Sequence, residues 1–424
     1  MLSVSGKAKR LVIAGCGSRG RGYARFAEEY PERAQIVAIA EPRDYYRDLV
    51  GDRYGVPAER RYRCWEELAA QPGLGDAALV CTQDDMHEGP AVAFMQKGYH
   101  VLLEKPMAPT EAACRNIVAA AHQSGVIFAV CHVLRYTVLT CKVKELIQAG
   151  AIGDIVSLQR LEGVGHWHQA HSFVRGHWRN EKESSFMLLA KSCHDVDWIR
   201  YVMNERCLRV QSFGALHLFR RENQPAGAAD RCTECPAAVE SQCPYSALKI
   251  YIRDRVQQGR THWPVDVLTA DVSEAGVMKA LREGPYGRCV YACDNDVVDN
   301  QVVNFEFTGR RTASLTMTAF QESGRKTRIF GTRGALDISG DTIVLDDFLT
   351  GKKTTIDTNI LNDNSILSGH GGGDGGLMES FMRALETGDA SCILSGADET
   401  LESHLMVFAA ERSRRQQTVE EITD

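Results

Sequence analysis

Between residues 10 and 131 the chain alternates short apolar runs with longer amphipathic stretches. The runs at 10–14, 36–40, 77–81, 100–104 and 126–131 are rich in Val, Ile, Leu and Ala, the composition of strands buried on both faces of a parallel sheet. The stretches between them, such as 89–97 and 110–124, space their apolar residues as helices do. This rhythm predicts a doubly wound α/β domain over residues 1–136.

From residue 155 the period changes. Segments 155–161, 208–214, 302–307, 312–320 and 328–331 largely alternate apolar and polar residues, and 342–345 and 353–356 follow. Alternation predicts an open, predominantly antiparallel sheet with one packed face, an α+β unit over residues 137–371. A polar insertion containing Cys and Pro interrupts it at 220–298. Helical spacing at 377–385 and 397–415 closes the chain, and residues 372–424 are expected to pack back on the first domain.

Composition narrows the function. Of 424 residues, 44% are hydrophobic, enough for a large core, and the net charge of -6 leaves no basic footprint for nucleic acid. No run of about 18 apolar residues offers a membrane span. The N-terminus lacks the apolar stretch of a secretory signal. Cys81, Cys114, Cys131, Cys141 and Cys392 lie singly in apolar or helical runs, as small core residues do in a reducing cytosol. A cytoplasmic protein is expected.

Gly15-Cys-Gly-Ser-Arg-Gly20 is a G-x-G-x-x-G turn that follows a predicted strand and opens a helix, and Glu41 ends the next strand. That context is the dinucleotide fingerprint of a Rossmann domain. Gly15 permits the tight turn, Gly17 lets backbone approach a pyrophosphate, and Gly20 lets helix pack on sheet. Ser18 and Arg19 complete the turn. Glu41 would accept from ribose hydroxyls and repel a 2′-phosphate, which favours NAD over NADP, although Arg43 beside it could pair with such a phosphate.

Residues 186–198 read as an apolar helix planted with charge. On one helix Lys191 and Asp195 stand at i,i+4, and His194 and Asp197 at i,i+3. Burial of an ammonium without a partner is costly. These groups therefore either neutralise each other, for instance as a Lys191–Asp195 ion pair, or line a polar cleft. In the second case His194 is the acid/base, because imidazole exchanges protons near neutral pH. Asp197 or Asp195 would orient it, and Lys191 would bind substrate.

The segments 81–87 and 98–108, above all Glu104-Lys105-Pro106, resemble the nucleotide domain of the Gfo/Idh/MocA oxidoreductases, relatives of glucose–fructose oxidoreductase and inositol dehydrogenase. The resemblance implies a Rossmann domain, an open sheet carrying substrate and oligomer contacts, and a tightly held nicotinamide cofactor. It further implies sugars, cyclitols or their acids as substrates, and a homo-oligomer. Thr82, His87, Glu104 and Lys105 would then border the cofactor, with Lys105 also catalytic, and Arg135 and Tyr136 would face the cleft. The physical reading of Lys105 agrees: it follows a parallel strand at the carboxyl end, where ligands bind. Its charge can stabilise an alkoxide, and Pro106 constrains the backbone behind it. The family's second motif is an aspartate, then a histidine four residues on and a further aspartate three later. His194 and Asp197 match it, but Ala190 stands where the first aspartate belongs.

Residues 165–178 concentrate His, Trp and Arg. Metal binding through His166, His168 and His171 is one reading. A sugar site is preferred, with His168, His171, Arg175 and Trp178 stacking on C–H faces and reading hydroxyls. The glycine-rich stretch 368–376 could bring His370 and Asp374 to the cleft. Cys232, Cys235 and Cys243 form C-x2-C-x7-C. With Cys293, or alternatively Cys289, they could bind a structural zinc, stapling an insertion expected to lack much core of its own.

Together these features predict an NAD-dependent oxidoreductase moving hydride between nicotinamide and a carbinol carbon of a sugar or cyclitol. Two alternatives stay open: an NAD-dependent glycoside hydrolase working by oxidation, elimination, addition and reduction, and a non-catalytic nucleotide-binding sensor.

Overall fold

The computed structural model describes residues 7–361 and 371–423. Strands β1 (Lys9–Ala14), β2 (Ala34–Ala40), β3 (Arg61–Tyr62), β4 (Ala77–Val80), β5 (His100–Leu103) and β6 (Phe128–Val130) form one parallel sheet in the order β3-β2-β1-β4-β5-β6. The reversal of order at β1 opens a crevice at the carboxyl ends of the central strands. Every residue of β4 is buried, which explains why its sequence shows no alternation. The two-residue β3 is too short to leave a sequence pattern.

The second sheet has nine strands: β7 (Ile155–Gly163), β8 (Cys207–Ala215), β9 (Asn300–Phe307), β10 (Arg311–Thr318), β11 (Gly324–Gly331), β12 (Gly334–Ser339), β13 (Thr342–Asp347), β14 (Lys353–Asp357) and β15 (Val419–Glu421). Their order is β14-β13-β12-β11-β7-β10-β9-β8-β15, antiparallel except at the β7–β10 pair. One face packs on the helix Cys193–Met203. The other presents Gln159, Ser314, Gln211 and Asn304 beside exposed Phe213 and Val302.

The closing helices do different jobs. Helix Gly373–Thr387 sinks Leu377, Met378 and Phe381 into the core of the first domain, beside Leu11, Ile13 and Tyr23. Helix Ala397–Gln416 lies between the domains, against β8, helix Glu111–Ser124 and helix Cys193–Met203. No helix among the described residues is long and apolar enough to cross a membrane.

The insertion differs from expectation. Phe219, Tyr251, Val265, Val277, Leu281 and Val290 bury themselves together as an apolar core of its own.

Candidate functional site

Two of the fingerprint glycines are dictated by space. A Cβ on Gly15 would lie 2.3 Å from the Cys81 carbonyl oxygen, and one on Gly20 would lie 2.1 Å from that of Gly15. At Gly17 the nearest atom to such a Cβ is an Arg43 nitrogen at 3.7 Å, so its backbone borders open space. That space is a cleft of about 370 Å³ framed by Gly15, Gly17, Glu41, Arg43, Trp65 and Thr82. The Thr82 hydroxyl is buried there with no hydrogen-bond partner, an unmet need that a bound polar ligand would satisfy. A dinucleotide fits this wall. Glu41, 2% exposed, accepts from the backbone N–H of Cys16 (2.9 Å) and from Arg43 Nε (2.7 Å). Burial opposes its ionisation, but the Arg43 hydrogen bonds and charge win and hold its carboxyl below the usual range.

Ser18 heads the exposed first turn of helix Ser18–Ala24, whereas Arg19 turns away into a buried network. Arg19 Nε donates to Glu104 (2.6 Å), Tyr23 donates to the same carboxylate (2.7 Å), and Arg19 Nη2 donates to Asp374 (2.7 Å). Glu104 thus anchors the turn after β5 instead of facing a ligand. Burial raises its carboxyl pKa, but the Arg19 and Lys105 charges outweigh this and lower it. His87, fully buried, donates from Nδ1 to the Pro106 carbonyl (2.7 Å), while Nε2 faces the Thr82 carbonyl (3.3 Å). His404 Nε2 accepts the Met107 N–H (2.9 Å). These bonds fix the turn from both sides and aim Lys105 across the domain boundary, where its ammonium donates to the Ala190 carbonyl oxygen at 3.0 Å. The position that lacks the motif aspartate therefore still binds Lys105, through its backbone.

Residues 186–198 are not one helix. Helix Met187–Ala190 ends at Lys191, and a second, Cys193–Met203, starts after Ser192. The break removes the i,i+4 relation, and the Lys191–Asp195 pair does not form. Lys191 instead meets Glu162 on β7 at 3.2 Å. Asp195 takes Arg160 (2.6 Å) and Arg325 (2.7 Å) from the second sheet. His194 and Asp197 keep their i,i+3 relation, but Asp197 is bound in bidentate fashion by Arg135 (2.8 and 2.7 Å). Burial opposes ionisation of Asp197, and the charge and hydrogen bonds of Arg135 override it.

His132 was not legible as a site residue. It is fully buried, its ring stands 5.7 Å from His194 and 5.5 Å from His404, and neither nitrogen has a hydrogen-bond partner. Burial pulls its pKa down to about 3 and that of His404 to about 4, so both are neutral rings behind the site. Glu162, Arg325 and Arg160 were missed as well, because strand alternation gives no sign of charge turned inward.

Several expected substrate contacts lie elsewhere. Arg135 is 2% exposed and spent on Asp197, and the Tyr136 hydroxyl accepts from the backbone N–H groups of Leu394 (2.9 Å) and Ser395 (3.1 Å). Both tie the last segment to the first domain. Arg175 donates to the Arg288 and Tyr245 carbonyls (2.7 Å each), and His171 bonds the Tyr251 hydroxyl (2.8 Å) and stacks on Tyr286. These two belong to the insertion's core. His168 and Trp178 remain half-exposed, and Trp178 Nε1 donates to Asp84 (3.2 Å) in the turn after β4. Burial, and then the charges of Lys191 and Lys105, lower the His168 pKa. His370 lies outside the described residues.

Among the described residues no group of three or more His, Cys, Asp or Glu is gathered as metal ligands. Cys232 Sγ lies 3.5 Å from an Arg175 nitrogen and Cys293 Sγ 3.3 Å from the Cys289 carbonyl oxygen. Cys243, Cys232 and Cys289 lie within one another's electrostatic reach in the insertion core. The expected zinc ligands are not assembled as a metal site among the described residues, and the premise of a coreless insertion is gone.

Residues 9–132 match the oxidoreductase family with an NAD-binding Rossmann fold, and residues 140–234 match the Gfo/Idh/MocA C-terminal domain; together they span more than half of the chain. This chain belongs to the Gfo/Idh/MocA oxidoreductase family. Among curated relatives, 1,5-anhydro-D-fructose reductase of Ensifer adhaerens is 32% identical over 142 residues, 33% of this chain and 41% of that protein. The 2,7-anhydro-N-acetylneuraminate hydratase of Escherichia coli (strain K12) is 24% identical over 197 residues, 46% and 49% of the two chains. The match thus spans less than half the length of these two relatives. A solved levoglucosan dehydrogenase, in complex with NADH and levoglucosan, shares the fold with TM-score 0.70 at 17% identity, covering 99% of this chain and 100% of that one. As a Gfo/Idh/MocA member the chain pairs its Rossmann sheet with the family's open mixed sheet.

Proposed function

We propose that the protein is an NAD-dependent oxidoreductase acting on a carbinol carbon of a sugar or cyclitol. The observation that carries this reading is the Lys105–Ala190 hydrogen bond. It sets an ammonium from the cofactor domain four residues before His194 in the substrate domain. When bound, the dinucleotide would be held by the Gly15–Gly20 turn, Thr82 and Glu41, and its nicotinamide would supply the hydride acceptor. Lys105 holds the substrate oxygen and offsets its developing negative charge. His194 removes the hydroxyl proton. Lys191, 19% exposed in its side chain and anchored by Glu162, hydrogen-bonds a neighbouring hydroxyl in place of the missing aspartate. Asp197, clamped by Arg135, positions the helix that carries His194. Glu41 favours NAD over NADP, since its carboxylate fills the position that a 2′-phosphate would approach, and the polar outer face of the second sheet suits a second copy of the chain.

The test is to supply NAD with a panel of monosaccharides and inositols and follow NADH formation. Turnover that falls by about 10²–10⁴-fold in Lys105→Ala and His194→Ala, with NAD affinity kept, supports the assignment. Unchanged turnover in both variants rejects it. The hydratase relative supports a second reading, cleavage or hydration of an anhydro-sugar or glycoside with no net change in cofactor. Product released while NADH stays flat would select it.

A further inference from the structure

Among the contacts the insertion makes with the 165–178 segment, those of Trp263 include His168. Trp263 is 44% exposed, large and aromatic, and two residues before the fully buried Val265, which anchors its turn in the insertion core. Its ring stands edge-on to His168 at 5.0 Å and to His171 at 5.5 Å, and tilted against Trp167 at 5.4 Å. Arg255 covers Trp167 at 4.2 Å, fixing that support from behind. In the other direction His168 meets Phe173 (5.9 Å), Phe173 meets Trp178 (6.1 Å), and Trp178 bonds Asp84 beside the cofactor cleft. Rings therefore run in a row from the cofactor domain to the insertion. His168 sits mid-row, within the electrostatic reach of Lys191 and Lys105, and Trp263 lies one ring further out.

An exposed indole held rigidly by three neighbours is a surface for the apolar C–H face of a pyranose. We propose that Trp263 forms an outer subsite for a second sugar unit, so that the enzyme acts on disaccharides or glycosides in preference to single sugars. This rests on the assignment of Lys105 and His194 to the reacting ring. Trp263 is then a specificity-determining residue supplied by the insertion, and it touches the unit that does not react.

The experiment pairs each monosaccharide (glucose, galactose, mannose) with disaccharides that carry it (maltose, cellobiose, lactose, mannobiose) and measures kcat and KM with NAD. In Trp263→Ala the KM for disaccharides should rise up to about tenfold, the span of one aromatic stacking contact, with kcat and the monosaccharide KM little changed. Trp263→Phe should recover most of the loss. Equal kcat/KM for single and paired sugars in the wild type, or equal effects of Trp263→Ala on both, would overturn the subsite. Calorimetric titration of the NAD-loaded protein with the same sugars separates this from the reaction itself. Disaccharide binding that weakens in Trp263→Ala without any NADH formation keeps the subsite and removes the hydride reading. No binding difference between wild type and variant, beside normal NADH formation, does the reverse.

Discussion

At the scale of single residues, the site is organised by backbone carbonyls and buried partners more than by the side chains expected. Lys105 of the first domain reaches across to the Ala190 carbonyl of the second, whereas the lysine next to Ala190 is claimed by Glu162. Glu162→Gln should therefore loosen Lys191 and lower turnover while NAD binding is kept, as fluorescence titration would report. His87→Ala removes the bond to the Pro106 carbonyl and should cost about 1–3 kcal/mol of stability in denaturant melts. The neutral buried histidines set a pH response. Their pKa is lower folded than unfolded, so between about 6.5 and their folded values the unfolded chain binds more protons, and stability falls as pH falls. For His404, at about 4, the full effect is roughly 3 kcal/mol. Urea unfolding at pH 7 and pH 5 should show this loss, and His132→Gln should show less of it; a flat profile would contradict the burial argument.

At the scale of elements, the break at Lys191-Ser192 is the feature with most consequence. Read as one helix, residues 186–198 solve their own charge problem by i,i+4 pairing. Read as two short helices, they hand each charge to a different partner: Lys191 to β7, Asp195 to β7 and β11, Asp197 to the segment after β6. Arg135→Met would strand Asp197 in a dry interior and should cost about 3–5 kcal/mol, read as a shift in the unfolding midpoint. The periodicities of the strands and of the two closing helices were plain in the sequence. The helix break was not, because no Gly or Pro marks it; long-range ion pairs choose it over the continuous helix.

At the scale of the whole molecule, the nine-stranded sheet leaves one broad face to solvent, with Phe213 57% and Val302 40% exposed on adjacent strands. If that face joins two copies, Phe213→Glu should shift the protein to monomer in sedimentation while leaving its fold intact. The same sheet turns Arg160 and Glu162 inward, and so holds Asp195 and Lys191 on either side of the helix break, next to the Ala190 carbonyl that Lys105 reaches. Helix Gly373–Thr387 crosses back to the first core and brings Asp374 to Arg19, so the turn that cradles the dinucleotide is completed by the far end of the chain.

The sequence by itself determined what depends on neighbours along the chain: parallel strands from unbroken apolar runs, the second sheet from alternation, the glycine turn from spacing, and Lys105 from its place after β5. Only the tertiary structure decided which charges pair, that Arg135, His171 and Arg175 serve interfaces and core, and that the insertion has a core and sets the Trp263 indole against His168. Those outcomes depend on which groups are desolvated together. Desolvation is a property of segments a hundred or more residues apart, and local periodicity carries no record of it.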